Sequence, residues 1–273
     1  MSIRIITFCL LFVAIFLSCK KEDLSDVGNP VTAKTPLLSK VLEDNQSSYE
    51  YVYNDSNLIA EVKSRFDYTL NHYNNKGQIV TVEYYTNDDI LSSDAQVSAT
   101  AMNGSGLVTA DNGKKSGILT YEYNDNDQLI KSTSTLTAPV SSEYSEFSYD
   151  NNNRISRQIM YWDNTATGYI DYSYDGNGNL ISELLYSTQT SGDPELITTT
   201  SYTFDNQPNP FRMAGRLMIP GTGTNRNNVI NETYTIHLSA DQGSDNVQTT
   251  TNVYQYNSLG YPVSKNGNVT FVY

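Results

Sequence analysis

The chain is poor in the residues that build cross-links, metal sites and interfaces with nucleic acids. Its 273 residues include two cysteines, Cys9 and Cys19, and two histidines, His72 and His237. No His-Glu-x-x-His spacing exists, so we predict no metal site and no cofactor. Thirty acidic residues against 17 Lys and Arg give a net charge of −13. This acidity argues against nucleic acids as partners, because nothing would neutralise their phosphates.

Helical patterning and a long apolar run are also absent. No segment keeps apolar residues at i, i+3, i+4 and i+7 over three turns, which is the pattern of an amphipathic helix. Asn, Thr and Ser, which are poor helix formers, are abundant. The apolar run from Ile5 to Leu17 has 13 residues, too few for a helix that crosses a bilayer. We therefore predict an all-β protein.

What the chain has is a repeated motif: Tyr-x-Tyr, then Asn or Asp, then a short polar run, then Leu or Ile. Aromatic residues at i and i+2 lie on one face of a strand. The Asn or Asp favours a turn, because its side chain can bond the nearby backbone and tolerates left-handed geometry. The motifs are Tyr51-Val52-Tyr53-Asn54, Tyr121-Glu122-Tyr123-Asn124, Phe147-Ser148-Tyr149-Asp150, Tyr172-Ser173-Tyr174-Asp175 and Tyr254-Gln255-Tyr256-Asn257, with weaker copies at Tyr73-Asn74, Met102-Asn103 and Tyr202-Thr203-Phe204-Asp205.

Each motif predicts a β-hairpin with a loop of roughly 3–5 residues. About eight hairpins imply roughly 14–17 strands in meander order, and open sheets of that size usually curl, split or close. We predict one long, twisted antiparallel sheet of repeated hairpins, curved into a trough or part barrel. A two-sheet sandwich is the alternative.

The N-terminus resembles a bacterial lipoprotein signal, with a positive start, an apolar run and Cys19 directly before charged residues. The resemblance implies that residues 1–18 are removed, that Cys19 is lipidated, and that residues 19–36 form a flexible tether. No disulfide framework then remains. Lys20-Lys21-Glu22-Asp23 resembles the export signal of Bacteroidota surface lipoproteins, with a solvated tether as the alternative. We expect an outer-membrane protein whose partner is the membrane, through its lipid, on the cell surface or periplasmic side.

Residues 37–273 are expected to form the β-hairpin-repeat domain, with an irregular insertion at about 205–233. This insertion is either a lid or contact surface, or a loop that plugs the sheet. The segment from Tyr172 to Ile181 resembles the YD repeat of Rhs and teneurin-type shells. The chain also resembles an uncharacterised family of Bacteroidota lipoproteins, in its N-terminus, Leu38-Ser39-Lys40-Val41 and Asp205-Asn206-Gln207-Pro208-Asn209-Pro210-Phe211. That family has no assigned activity, so the resemblance implies no catalytic residues.

Two sequence patterns could in principle bind a metal or catalyse a reaction, but each has a simpler structural interpretation. The run from Asp175 to Asn179 begins like a calcium loop, but Leu180 and Tyr186 stand where an EF-hand needs Gly and Glu, so a hairpin turn is favoured. Paired acids could serve a glycosidase, yet those in this chain fit a turn and solvent-facing strand positions: Asp88-Asp89, and Glu143 with Glu146.

The 22 tyrosines support the most specific hypothesis. At i, i+2 spacing they form stripes across neighbouring strands. A stripe on an exposed face would offer flat, amphipathic rings to sugars or polymer chains. The candidate ligand-binding residues are Tyr161, Trp162, Tyr172 and Tyr174. Cross-strand packing that stabilises a thin sheet is the alternative.

These observations favour a non-catalytic binding or scaffold module for a glycan or an envelope protein. The second hypothesis is a lipid carrier, with an acyl chain on the concave face of the sheet. The third is a hydrolase built on acidic residues, which requires at least two carboxylates in one cleft.

Overall fold

The computed structural model describes residues 36–87, 106–137, 140–188, 193–213, 219–238 and 243–273. Cys19 lies outside these ranges. Within them, all strands belong to one antiparallel sheet of 17 strands, which confirms the all-β meander and rules out the two-sheet sandwich. The strands are β1 (Lys40–Glu43), β2 (Gln46–Tyr53), β3 (Ile59–Ser64), β4 (Asp67–Tyr73), β5 (Ile79–Thr86), β6 (Lys114–Tyr123), β7 (Leu129–Thr137), β8 (Val140–Tyr149), β9 (Ile155–Trp162), β10 (Thr165–Tyr174), β11 (Leu180–Ser187), β12 (Glu195–Pro208), β13 (Asn227–Ile236), β14 (Asn246–Thr251), β15 (Tyr254–Tyr256), β16 (Pro262–Lys265) and β17 (Val269–Val272).

The sheet curves until its two edges approach each other. β17 pairs with β1, so the hydrogen-bonded order runs from β15 through β17, β1 and β2 to β14. At about 4.8 Å per strand, a flat sheet of this size would be roughly 75 Å wide. Instead, the Tyr256 hydroxyl on β15 donates to the Asp205 carboxylate on β12. The predicted part barrel is confirmed, and no ladder between the described strands closes it.

The chain itself crosses the gap between the edges, which we call the seam (residues 252–256 and the facing ends of β12 and β13). The backbone N–H of Asn252 donates to the Ile230 carbonyl on β13 at 2.8 Å. One residue later, the Val253 carbonyl accepts from Asn266 N–H at 2.8 Å. The segment therefore leaves β13 and joins β16 within two residues.

Six turns at one end of the sheet share a geometry that the repeated Asn or Asp dictates. In the Asp175 turn, the carboxylate accepts the backbone N–H groups of Asn177 and Asn179 at 2.9 and 2.8 Å. The fourth residue, Gly178, has φ +84°, in the left-handed region where Gly, Asn and Asp are tolerated. The other five turns begin at Asn54, Asn74, Asn124, Asp150 and Asn257, with Asn57, Gly77, Asp127, Asn153 and Gly260 in the left-handed position.

The core begins at the apolar residue that ends each polar run. Five of these residues are at most 2% exposed: Ile59, Ile79, Leu129, Ile155 and Leu180. They form one cluster with the first aromatic residue of three motifs, Tyr121, Phe147 and Tyr172. Burial of each such apolar side chain contributes about 1.5–3 kcal/mol, so the repeat spacing places one core layer in each hairpin.

In four of the five motifs the second tyrosine ties its repeat to the segment before it, and we call this contact the tyrosine lock. The Tyr123 hydroxyl donates to the carbonyl of Ile79, a core residue of the repeat before, at 2.8 Å. A buried phenol that finds a carbonyl avoids the cost of an unpaired polar group. The same lock, at 2.6–2.9 Å, joins Tyr53 to Leu38, Tyr73 to Ile59, Tyr149 to Leu129, Tyr174 to Ile155 and Tyr273 to Pro262.

The insertion interrupts one repeat turn without destroying it. β12 extends to Pro208 and β13 begins at Asn227, so the strands enter the segment 205–233 from both sides. Asp205 accepts the N–H of Gln207 at 3.0 Å, as the repeat requires. The second N–H that the Asp205 carboxylate accepts belongs to Asn228, at 3.0 Å, on the far side of the insertion. The turn geometry is therefore kept while the chain makes an excursion.

This excursion fills the concave side of the sheet. Its described residues, on either side of 214–218, form two short 3₁₀ turns, Pro210–Met213 and Thr222–Thr224. Phe211 and Ile219 pack against the main core cluster. Phe211 also meets Phe271 of β17 edge to face, with ring centroids 5.9 Å apart. The insertion thus connects the two ends of the curved sheet to one core, as expected for a plugging loop.

Candidate functional site

Four tyrosines on β8–β11 form the outer band, which we define as Tyr144, Tyr161, Tyr169 and Tyr186. They are out of phase with the core aromatics of the same sheet, so they lie on the opposite, solvent-facing side. Tyr144 is paired with Tyr161 across β8 and β9, and the rings stack at 4.5 Å with an interplanar angle of 9°. Tyr169 and Tyr186 pair in the same way across β10 and β11, at 4.7 Å and 18°.

Charged side chains hold the first ring of each pair. The Lys131 ammonium lies 4.2 Å from the centroid of Tyr144. The Arg157 guanidinium lies 4.2 Å from the centroid of Tyr169 and forms two hydrogen bonds, of 2.6 and 2.7 Å, with the Asp171 carboxylate. These bonds raise the pKa of Arg157 above its ordinary value. Each exposed cation–π contact contributes about 0.5–1 kcal/mol, so the rings are held in place before any ligand arrives.

The second ring of each pair has a different environment. The Tyr161 hydroxyl donates to the Glu146 carboxylate at 3.2 Å. Partial burial and this neighbouring negative charge raise the pKa of Tyr161, so its hydroxyl stays protonated at neutral pH. The band therefore combines ordered aromatic surface with hydroxyl, carboxylate and guanidinium groups, which suits a neutral ligand with both apolar faces and hydroxyl groups.

The structure separates the four residues expected to bind a ligand. Tyr161 belongs to the outer band. Trp162 is 51% exposed at the end of β9 but points to the other side, opposite Glu143. Tyr172 is 7% exposed and belongs to the core. Tyr174 makes the lock to Ile155. Tyr161 is thus the one residue of the four that stacks on another band tyrosine, Tyr144.

Sequence reasoning missed the remaining members of the band, although a signal existed. Tyr144 and Tyr169 each stand three residues before a core aromatic, Phe147 and Tyr172. An odd spacing along a strand places two side chains on opposite faces, so these tyrosines are excluded from the core once the motif's phase is known. Their cationic partners lie on neighbouring strands and carry no such signal.

The expected alternatives find less support. A cavity of about 150 Å³ lies at the seam beside Phe211 and Phe271, below the roughly 300–1,000 Å³ of sites for larger ligands. A larger, more open cavity of about 410 Å³ lies among polar turn residues that include Asn74 and Asn124. Phe211 and Ile219 pack against the core cluster on the concave side, where an acyl chain was expected. Asp88-Asp89 lies outside the described residues. Glu143 and Glu146, three residues apart on β8, lie on opposite faces.

Two further clusters have the composition of reactive sites. His237 lies 2.8 Å from Thr199 Oγ1 through Nε2 and 2.8 Å from Asp245 through Nδ1, the order of a nucleophile, base and orienting acid. In a second cluster, the Glu83 carboxylate accepts from Tyr85 and Lys115 at 2.8 Å each. Neither cluster lines the seam cavity or the cavity beside Asn74 and Asn124. We therefore assign neither cluster a reaction.

The described residues contain no cluster of three or more His, Cys, Asp or Glu arranged for a metal ion. They also contain no helix with the length and apolarity needed to cross a bilayer.

No family model matches the chain, and no curated protein matches it. Solved structures do match. A porin-like protein from Bacteroides uniformis is 13% identical over 86% of this chain and 96% of its own, with a TM-score of 0.39. A porin-like protein from Bacteroides vulgatus is 11% identical over 87% and 99%, with a TM-score of 0.38. The TcdB2-TccC3-TEV structure is 11% identical over 80% of this chain and 14% of its own, with a TM-score of 0.18. Similarities at this level carry no inference about function.

Proposed function

We propose that the protein is a lipid-anchored, surface-exposed envelope lipoprotein whose outer band binds a neutral glycan chain without chemically altering it. The observation that supports this most is the two stacked pairs of tyrosines on a solvent-facing sheet, each pair held by a cation. Rings fixed in advance lose little conformational entropy on binding, which improves affinity. The net charge of −13 favours a neutral chain over an acidic one.

Glycan binding is tested with the purified protein on an array of neutral glycans, followed by titration calorimetry on the strongest ligand. Tyr161→Ala with Tyr186→Ala removes one ring from each stacked pair, and we expect at least tenfold weaker binding, equivalent to about 1.4 kcal/mol. Phe66→Ala is the control, because Phe66 is 64% exposed and lies on another hairpin. A blank array, or equal affinity of the double variant and the control, would contradict glycan binding.

Anchoring is tested separately in cells of the source organism. Metabolic labelling with a fatty acid should mark the wild-type protein, and Cys19→Ala should abolish both the label and membrane sedimentation. Accessibility to an added protease should then distinguish the cell surface from the periplasmic side. An unlabelled wild-type protein would refute the lipoprotein assignment.

A further inference from the structure

The seam cavity is a partly open space with a mixed lining on the side of the sheet opposite the outer band. Its aromatic wall is formed by Phe211, Tyr254 and Phe271, and its charged wall by Glu232 of β13 and Lys265 of β16. The volume of about 150 Å³ corresponds to about five water molecules at roughly 30 Å³ each. A small molecule, and not a polymer, would fit this space.

Several polar groups of the lining are already committed to the fold. The Asn228 amide donates to the Asp205 carboxylate at 3.0 Å. The Asn252 amide and the Tyr254 hydroxyl both donate to the Val229 carbonyl, at 3.0 and 3.2 Å. These groups hold the seam together and have little hydrogen-bonding capacity left for a ligand.

Glu232 and Lys265 are different. Neither makes a hydrogen bond or ion pair with any residue of the described chain, including each other. Both side chains are half-buried, and a charge withdrawn from water without a partner is costly. A structural ion pair would have brought the two groups into contact across the seam. They instead face one cavity as separate, opposite charges.

The neighbourhood of Glu232 is negative. Glu183 of β11 accepts the Tyr202 hydroxyl at 2.6 Å. Burial raises the pKa of Glu183, the Tyr202 hydrogen bond opposes this effect, and the negative charge of Glu232 adds to it. A cationic group near Glu232 would relieve this repulsion, while Lys265 requires an anion on the opposite side of the cavity.

We propose that the seam cavity binds a free aliphatic α-amino acid. Its ammonium group would meet Glu232, its carboxylate would meet Lys265, and its side chain would pack on Phe211 and Phe271. A neutral sugar would leave both protein charges uncompensated, and a simple amine or acid would leave one. The zwitterion alone matches both charges and the aromatic wall within the available volume. This site is independent of glycan binding by the outer band.

Titration calorimetry of the purified full-length protein with L-leucine tests the assignment. Isopentylamine and 4-methylpentanoate are leucine without its carboxylate and without its amine, respectively. We expect each to bind at least about tenfold more weakly than leucine, since each loses one charged hydrogen bond. Glucose should produce no binding signal.

Variants locate the site. Glu232→Gln and Lys265→Met should each weaken leucine binding about tenfold or more, whereas Glu122→Gln, at an exposed position on β6, should leave it unchanged. Urea unfolding establishes that each variant is folded. If one variant does not fold, the other variant and the analogue series still decide the matter. The assignment is overturned if leucine does not bind at millimolar concentration, if glucose binds instead, or if both variants bind leucine normally.

Discussion

Tyrosine has two opposite roles in this chain, and its position relative to the motif decides which one. Tyr172, on the core face, is buried and donates its hydroxyl to Gln158 at 2.9 Å. Tyr169, three residues earlier, faces solvent beneath Arg157. The Tyr-x-Tyr pattern predicted shared faces correctly but did not show which face was covered. That depends on where the next strands and the insertion lie.

The tyrosine lock can be tested one hydroxyl at a time. Tyr123→Phe keeps the ring but removes the donor to Ile79, and leaves a carbonyl without this partner. We expect a loss of about 0.5–1.5 kcal/mol in the free energy of unfolding, measured by urea denaturation. Tyr186→Phe is the matched control, because no hydrogen bond of its hydroxyl exists within the described chain. Equal losses in the two variants would show that the lock does not stabilise the fold.

At the scale of the hairpin, the turn was the best-predicted element. The Asn or Asp of each motif, and the Gly, Asn or Asp three residues later, were visible as turn formers in the sequence. The structure adds that one side-chain oxygen accepts two backbone N–H groups in each of the six described turns and also at Asp205. The copy at Met102-Asn103 lies outside the described residues. Neighbouring turns are also joined, for example through Lys76 Nζ and the Asp127 carboxylate, 2.6 Å apart. Such links between repeats depend on packing and have no signature at a fixed spacing.

Gly178 and Gly176 allow a controlled test of the turn geometry. A Cβ at either position would meet no atom within 4 Å, but only Gly178 has a positive φ, +84°. Gly178→Ala should therefore cost about 1–2 kcal/mol of stability from backbone strain, while Gly176→Ala should be nearly neutral. Gly178→Asn should cost less than Gly178→Ala, because Asn153 occupies the same position in another turn. Thermal unfolding of the three variants checks this order, and equal melting temperatures would contradict it.

The aspartate turns should make stability depend on acid pH. Burial tends to raise the pKa of Asp150, but hydrogen bonds from Arg154 and Asn152 outweigh this effect and lower it. A carboxyl with a depressed pKa in the folded state contributes stability above its unfolded pKa, near pH 4, and loses that contribution as pH falls through the folded value. Asp150→Asn preserves the acceptor oxygen, as Asn124 does in its own turn. In urea unfolding, the free energy of unfolding of this variant should fall less between neutral and acid pH than that of the wild type. An unchanged pH dependence would show that other carboxyl groups determine the loss of stability in acid.

At the scale of the whole molecule, the insertion and the last strand determine the shape. Leu38, Val41 and Phe271 form a second buried cluster, and Phe211 packs against both this cluster and the main core. Residues from the beginning, the end and the insertion therefore share one interior. The irregular composition of 205–233 indicated a loop. Its position is fixed by tertiary contacts, because Asp205 and Asn228, at its two ends, complete one turn.

Phe271→Ala tests this closure. Phe271 is 5% exposed and packs on Phe211, so its truncation should cost about 3–5 kcal/mol and loosen the contact of β17 with β1. Leu259→Ala, at a position 52% exposed in the neighbouring turn, should change stability little. Hydrogen exchange should show lost protection in β1 and β17 first. A small loss in Phe271→Ala would mean that the edges are held mainly by backbone pairing.

The amino-acid order by itself determined the strands, the turns and the core layers, because alternation, turn chemistry and repeat spacing act over a few residues. Tertiary structure alone decided which tyrosines face solvent, how Lys131 and Arg157 meet them, and how Glu232 and Lys265 come to face one cavity. These contacts join side chains on different strands. Their distances depend on how strongly the sheet curves and on what fills its concave side, and these follow from packing summed over the whole molecule.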